Sequence, residues 1–134
     1  MKFITYTDGG ARGNPGPAAI GGVVIEKQTN IKTPFHKYIG KTTNNQAEYQ
    51  ALLHALELAQ KKGATEVECF LDSELVVKQL RREYRVKDQE LGKLFLNIVK
   101  LSVVFSKITF THIRREKNKE ADALVNKALD ERES

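Results

Sequence analysis

The sequence predicts a mixed α/β fold in which helices pack on both faces of a five-stranded mixed sheet. Strand-like runs come first, at residues 2–7, 18–27 and 31–40. Apolar residues then recur at helical spacing from Asn45 to Lys62, and Gly63 is a typical helix end. The later segments alternate between the two patterns. The resulting order, βββαβααβα, is typical of a mixed sheet with helices packed against it.

A loop rich in glycine and proline follows the first predicted strand. The strand at 2–7 ends before Asp8, and the segment "GGARGNPGP" comes next. This loop matches neither GxxxxGK[ST] nor the GxGxxG fingerprint, and Pro15 and Pro17 disfavour entry into a helix. The stretch therefore predicts a strand, a rigid loop and a second strand, with Asp8 at the lip of the loop.

Five further elements are predicted after the long helix. They are a strand at 65–72, helices at 73–84 and 88–102, a strand at 104–111 and a final helix at 118–132. Asn118 is the candidate N-cap of the final helix. The end of the chain, 130–134, is expected to fray.

The chain has the size and composition of one small domain, 1–134. No apolar run approaches the roughly 18 residues that a membrane-spanning helix needs, and the first residues lack the pattern of a signal peptide. We therefore expect a soluble, cytoplasmic protein without a membrane partner. We expect a monomer, because no long apolar stripe is left over once the helices are packed. The single cysteine, Cys69, lies in an apolar run and is expected in the core.

The distribution of charge favours a polyanionic partner. The net charge is +5, from 22 basic and 17 acidic residues, which alone identifies no partner. Basic residues cluster near His112, at Lys107, Arg114, Arg115, Lys117 and Lys119. Acids such as Asp8 and Asp72 stand apart in apolar surroundings. A basic surface beside an acidic site is what a phosphate-handling site with bound metal needs.

Four carboxylates are predicted to converge at one edge of the sheet. If the first three strands form a meander and a right-handed crossover follows, the fourth strand is parallel to the first, so Asp8 and Asp72 reach the same edge. The long helix begins there with Glu48. A parallel fifth strand brings His112 and Asp122 to the same edge. The carboxyl edge of parallel strands is where α/β folds place their sites.

Each carboxylate also has an ordinary structural explanation. Asp8 could start a turn, and Asp72 could be a helix N-cap. Glu48 could belong to a capping box with Asn45, and Asp122 could favour the positive end of the last helix. Together, however, four carboxylates at one edge would repel one another unless cations intervened. Such oxygen ligands suit Mg²⁺ or Mn²⁺, and two ions of this kind can activate water for attack on a phosphate.

His112 has a plain and a functional interpretation. Histidines are common in cores and on surfaces. One at the end of the fifth strand, ahead of Asp122, could orient water or shuttle a proton, because imidazole titrates near neutral pH.

Four segments closely resemble, in order and spacing, the motif blocks of type 1 ribonuclease H. They are "TDGGARGNPGPAA", "TTNNQAEYQALLHAL", "LDSELVV" and "THIRREKNKEADALVNKAL". The resemblance spans nearly the whole chain and implies a ribonuclease H-like fold. It also implies an endonuclease that uses two Mg²⁺ ions, with Mn²⁺ as an alternative. Such an enzyme hydrolyses the RNA strand of RNA–DNA hybrids to 5′-phosphate and 3′-hydroxyl ends.

The resemblance implies roles for individual residues. Asp8 would bridge both ions, and Glu48 and Asp72 would serve the ion on the leaving-group side. Asp122 would serve the ion that holds the nucleophilic water, and His112 would assist water activation or product release. Substrate-binding roles are implied for Gly9, Gly10, Asn14, Lys41, Thr43, Asn44, Asn45, Arg114, Arg115 and Asn118. The glycines would let the backbone approach an RNA sugar, whose 2′-hydroxyl distinguishes RNA from DNA; for the asparagines, helix capping is the alternative.

One part of the family pattern is missing. Members with a basic protrusion carry a Trp- and Lys-rich insert before the fifth strand that helps to grip the hybrid, whereas 81–100 is compact here and the chain has no tryptophan. Hybrid affinity would then rest on Arg81, Arg82, Arg85 and the 114–119 cluster, unless these residues only form a solvated face. Reduced discrimination would follow, with cleavage of double-stranded RNA open as an additional activity.

Three other functions fit parts of the pattern. A module that binds hybrids without cutting them would not need four acids and a histidine. A resolvase or another polynucleotidyl transferase of similar fold would not need the Asn-Asn-x-x-Glu block and the Asn-Pro-Gly loop. A structural domain would leave the acidic edge unexplained.

Overall fold

The computed structural model describes residues 1–133, and Ser134 lies outside the described residues. The elements follow in the predicted order. The strands are β1 Lys2–Ala11, β2 Gly16–Glu26, β3 Lys32–Thr42, β4 Glu66–Leu71 and β5 Lys107–His112. The helices are α1 Asn44–Lys61, α2 Glu74–Leu80, α3 Gln89–Ser102 and α4 Lys119–Glu133, with a short 3₁₀ turn, Arg115–Lys117, before α4.

The five strands form one mixed sheet in the order β3-β2-β1-β4-β5. β2 is antiparallel to both β1 and β3, whereas β4 is parallel to both β1 and β5. The predicted meander, crossover and parallel fifth strand are therefore confirmed. The carboxyl ends of β1, β4 and β5 all lie at the same edge.

β1 continues past the point where the sequence predicted its end. It pairs with β2 through Ala11, so Asp8 lies within the strand, opposite Gly21, and does not start a turn. The parallel pairing with β4 stops earlier, at Thr7 opposite Leu71. Asp8 is thus the first residue of β1 beyond the end of β4, which leaves room for a side chain at the sheet edge.

Several other element boundaries also differ from the prediction. α2 ends at Leu80 instead of residue 84, because Arg82 adopts a left-handed φ of 64° that a right-handed helix cannot include. β5 begins at Lys107 instead of 104, since residues 103–106 form the turn after α3. α4 continues to Glu133, so the fraying expected for 130–133 is not seen, and the expectation for Ser134 lies outside the described residues.

The start of α1 also differs by one residue. Thr43 is the N-cap, and its hydroxyl accepts a hydrogen bond from the backbone nitrogen of Gln46 at 3.2 Å. The helix therefore begins at Asn44, and the capping box considered for Asn45 and Glu48 does not form. The carboxylate of Glu48 is left for another role.

Helices cover both faces of the sheet, as predicted. The larger core lies between the sheet and α1, α2 and α3, with Phe3, Leu52, Leu56 and Ile98 fully buried in it. Cys69 belongs to this core, where burial raises the pKa of its thiol to about 12. A smaller cluster packs α4 against the opposite face. Within residues 1–133, no helix is both long enough and apolar enough to cross a membrane.

Candidate active site

Three carboxylates meet where β1, α1 and β4 come together. Asp8 lies on β1, Glu48 near the start of α1, and Asp72 directly after β4. One oxygen atom from each side chain lies within 4.8 Å of the other two, and all three residues are half-buried. The structure thus brings together three of the four carboxylates that the sequence placed at this edge.

Gly9 allows α1 to approach β1 at this point. A Cβ atom on Gly9 would lie 2.5 Å from the backbone nitrogen of Glu48 and would overlap the backbone of Ala47. Only glycine fits there, and the close contact sets Glu48 beside Asp8. We expected the glycines to admit an RNA sugar, but Gly9 is buried and its small size serves the contact with α1.

Ser73 separates Asp72 from the helix that follows it. Ser73 is the N-cap of α2, and its hydroxyl accepts a hydrogen bond from the backbone nitrogen of Val76 at 3.3 Å. Asp72 is therefore not a helix cap. The Ser73 side chain also acts on Glu48, where it opposes the rise in the pKa of that carboxyl. The sequence reasoning missed this residue, although a serine between a strand and a helix in "LDSELVV" is a typical N-cap.

Asp122 reaches the same region from the opposite face of the sheet. It lies in the first turn of α4, which packs directly on β2 because Gly21 has no side chain. A Cβ atom on Gly21 would lie 2.7 Å from the backbone nitrogen of Val125. Asp122 lines a cavity of about 260 Å³ together with Asp8 and Glu48, outside the closest group of three.

Burial and repulsion between carboxylates make Asp8 and Glu48 hard to ionise. Burial first, and then repulsion from the other three carboxylates, raises the pKa of Asp8 from 3.8 to about 8. Burial also raises the pKa of Glu48, to about 7. The Oε2 atom of Glu48 is buried and has no hydrogen-bond partner in the part of the chain that the structure describes. A divalent cation would satisfy this oxygen and offset the repulsion, so the residues fit Mg²⁺ or Mn²⁺.

Without a divalent ion, the protein is expected to lose stability as the pH rises. Asp8 binds its proton more tightly in the folded than in the unfolded state, so the free energy of unfolding falls between about pH 4 and about pH 8, by on the order of a few kcal/mol. Asp8→Asn removes this loss. In EDTA the variant should therefore have a higher Tm than the wild type at about pH 8 but not at about pH 4. Thermal melts that show the same difference at both pH values would contradict this explanation.

His112 lies at the end of β5, where it pairs with Leu71, the residue before Asp72. It is exposed and does not line the carboxylate cavity. Its place in the fold is the expected one, and its catalytic role stays a prediction.

The first residue of α1 is hydrogen-bonded to the end of β1 and to the loop between β1 and β2. The backbone nitrogen of Asn44 donates to Oδ1 of Asn14 at 3.0 Å, and Oδ1 of Asn44 accepts from the backbone nitrogen of Ala11 at 2.7 Å. These bonds hold the loop beside the cavity, which Asn44 also lines. The two asparagines therefore shape the rim of the site.

The other substrate-binding candidates differ in their position relative to the cavity and in their exposure. Gly10 and Arg115 line the cavity, whereas Lys41 and Arg114 are exposed and Asn45 is half-buried in the first turn of α1. Asn118 differs from all of them, because only 1% of its surface is exposed.

Comparison with known proteins agrees with this geometry. The family model described as reverse transcriptase-like matches residues 6–128. Ribonuclease HI of Halobacterium salinarum is 43% identical over 97% of this chain and 65% of its own length. The crystal structure of RNase H1 from that organism superposes with a TM-score of 0.94 at 41% identity, covering 98% of this chain and 99% of that one.

Two further relatives are informative. LC11-RNase H1, which was isolated from compost, has been solved in complex with an RNA/DNA hybrid; it is 47% identical, with a TM-score of 0.92 over 98% of this chain and 99% of that one. A bifunctional protein of Mycobacterium tuberculosis is 40% identical over 97% of this chain. The chain spans 36% of the length of that relative, about a third.

The sheet order and the acidic edge define the class of this protein as a ribonuclease H-like α/β domain. Within that class, the chain belongs to the type 1 ribonuclease H family. It has the compact form, because α2 and α3 are joined only by residues 81–88.

Proposed function

We propose that this protein is a metal-dependent endonuclease that hydrolyses the RNA strand of RNA–DNA hybrids and leaves 5′-phosphate and 3′-hydroxyl ends. The observation that supports it best is the group formed by Asp8, Glu48 and Asp72, whose oxygen atoms lie within 4.8 Å of one another. Membership of the type 1 ribonuclease H family and the relative solved with a hybrid support the substrate class.

The carboxylates would hold two divalent ions. Asp8, Glu48 and Asp72 form the close group, and Asp122 completes the set from α4. Two such ions activate water and stabilise the leaving oxygen of a phosphodiester. The raised pKa of Asp8 means that metal binding has to displace a proton, so binding should strengthen as the pH rises towards 8. His112, exposed beside the end of β4, would assist water activation or product release there.

The rim of the cavity would recognise the RNA strand. Asn14 and Asn44 are joined by a hydrogen bond at the mouth of the site, and Thr43 fixes the start of α1. Polar groups in this position would contact the minor groove, where RNA displays the 2′-hydroxyls that DNA lacks. Arg115, which lines the cavity, and the exposed Arg114 would contact phosphates.

A strand-specific cleavage assay tests the substrate. A hybrid labelled on either its RNA or its DNA strand is incubated with the protein and Mg²⁺, beside duplex RNA and duplex DNA. We expect fragments from the RNA strand of the hybrid and none from its DNA strand or from duplex DNA. If the compact form discriminates less well, duplex RNA is cleaved as well, at a lower rate. Cleavage of the DNA strand would contradict the proposal. If duplex RNA stays intact at high protein concentration, cleavage of double-stranded RNA is ruled out and the proposal for the hybrid is unaffected.

Binding to the hybrid is expected to weaken steeply with salt. Each phosphate contact contributes a slope of about 0.9 to the fall of log K with log salt, so Arg114→Ala combined with Arg115→Ala should reduce the slope by about 2. Fluorescence anisotropy in EDTA measures this without cleavage. Lys93→Ala is the control, since Lys93 lies on α3 and pairs with Glu90. Equal slopes for the double variant and the control would contradict a role of these arginines in phosphate binding.

A further inference from the structure

Asn118 connects three parts of the sheet edge that carry carboxylates. It lies directly before α4, four residues ahead of Asp122, and it is 1% exposed. Its side-chain nitrogen donates to the carbonyl oxygen of Thr7 at 2.9 Å and to Oδ2 of Asp72 at 3.0 Å. One side chain thus contacts the residue before Asp8, contacts the carboxylate of Asp72, and belongs to the segment that starts the helix of Asp122.

The burial of Asn118 does not favour the substrate contact that the resemblance implies. Its two amide hydrogens are taken up by Thr7 and Asp72, and its Oδ1 atom is buried without a hydrogen-bond partner among residues 1–133. A buried oxygen that lacks a partner is unfavourable. The polar contacts through which Asn118 can act on the site are its two donated hydrogen bonds.

We propose that Asn118 is a positioning residue that orients the Asp72 carboxylate for cation binding and fixes the start of α4 against β1 at Thr7. This inference rests on the proposed metal site. The hydrogen bond to Oδ2 engages one oxygen of Asp72 and leaves the other for the cation. An aspartate here would instead place another negative charge beside Asp72, and the two would repel. Groups that hold a metal-binding carboxylate in this way typically contribute about 10–100-fold to metal affinity.

The test is a Mg²⁺ titration of Asn118→Leu by calorimetry in the absence of nucleic acid. Leucine has the same branched skeleton and number of heavy atoms as asparagine and removes both donated hydrogen bonds. We expect the affinity for Mg²⁺ to fall by about 10–100-fold, and kcat at limiting Mg²⁺ to fall while KM for the hybrid is unchanged. Asn97→Leu, on the exposed side of α3, is the matched control and should leave both quantities unchanged.

An unchanged affinity for Mg²⁺ would overturn the inference. If KM for the hybrid rose in the same variant, Asn118 would be a substrate contact instead. If the leucine variant does not fold, Asn118→Ser is judged by the same criterion, because serine is too short to reach both Thr7 and Asp72. The titration needs no hybrid, so the two proposals can fail separately. A wild type that binds Mg²⁺ but does not cut the hybrid would refute the proposed function, whereas this inference would still be decided by the Mg²⁺ affinity of the variant. A wild type that does not bind Mg²⁺ would overturn both.

Discussion

Asp8→Asn is expected to lower the rate of metal-dependent cleavage of an RNA–DNA hybrid by about 10³-fold or more. Asp8 lies at the centre of the site, because Glu48, Asp72 and Asp122 all raise its pKa by their charge. Asparagine has nearly the same shape but carries no charge, so the variant keeps the fold while losing its affinity for a divalent ion. Single-turnover cleavage at saturating protein separates this loss from any change in hybrid binding.

Asp88→Asn is the matched control for this substitution. Asp88 is the N-cap of α3, where its carboxylate accepts from the backbone nitrogen of Leu91 at 2.9 Å. Asparagine caps a helix as well as aspartate does, so the control should cleave at the wild-type rate. If the Asp8→Asn variant retained more than about a tenth of the wild-type activity, that result would contradict a central role of Asp8 in the mechanism.

Gly21→Ala is expected to reduce both stability and activity. The new Cβ would lie 2.7 Å from the backbone nitrogen of Val125 and 2.8 Å from the carbonyl oxygen of Ala121, so α4 has to move away from β2. Overpacking of this kind costs about 1–3 kcal/mol of the free energy of unfolding. Cleavage should fall as well, because α4 carries Asp122.

Gly92→Ala is expected to change the free energy of unfolding in the opposite direction. Gly92 lies within α3, and a Cβ there would meet nothing within 4 Å. Alanine is the better helix former, so this variant should gain about 0.5–1 kcal/mol. Urea unfolding of the two variants beside the wild type measures both effects. A Gly21→Ala protein as stable as the wild type would show that α4 does not pack on β2 as closely as described.

Much of this architecture could be predicted from local patterns in the sequence. The alternation in 2–7 and the helical spacing from Asn45 depend on which side chains face the core, and these patterns are visible without the fold. The convergence of Asp8, Glu48 and Asp72 followed from strand direction and crossover handedness alone. The resemblance to type 1 ribonuclease H then favoured a role for these acids in a metal site over roles as helix caps or in turns.

Features that depend on tertiary contacts could not be predicted in this way. The sequence could not show that Asp8 lies within β1, because the strand is extended by its pairing with β2 after β4 has ended. The roles of Gly9 and Gly21 depend on how closely α1 and α4 approach the sheet. The hydrogen bond from Asn118 to Asp72 joins residues 46 positions apart, and no local pattern encodes it.

The most direct test is the rate at which the wild-type protein cleaves the RNA strand of a labelled hybrid as the Mg²⁺ concentration is raised from zero, with EDTA as the zero point. If the carboxylate cluster holds the catalytic ions, no fragments form in EDTA and the rate rises with Mg²⁺ to a plateau. Cleavage that continues unchanged in EDTA would contradict a metal-dependent mechanism. A hybrid that is bound but never cut, with Mg²⁺ or Mn²⁺, would instead identify a binding module.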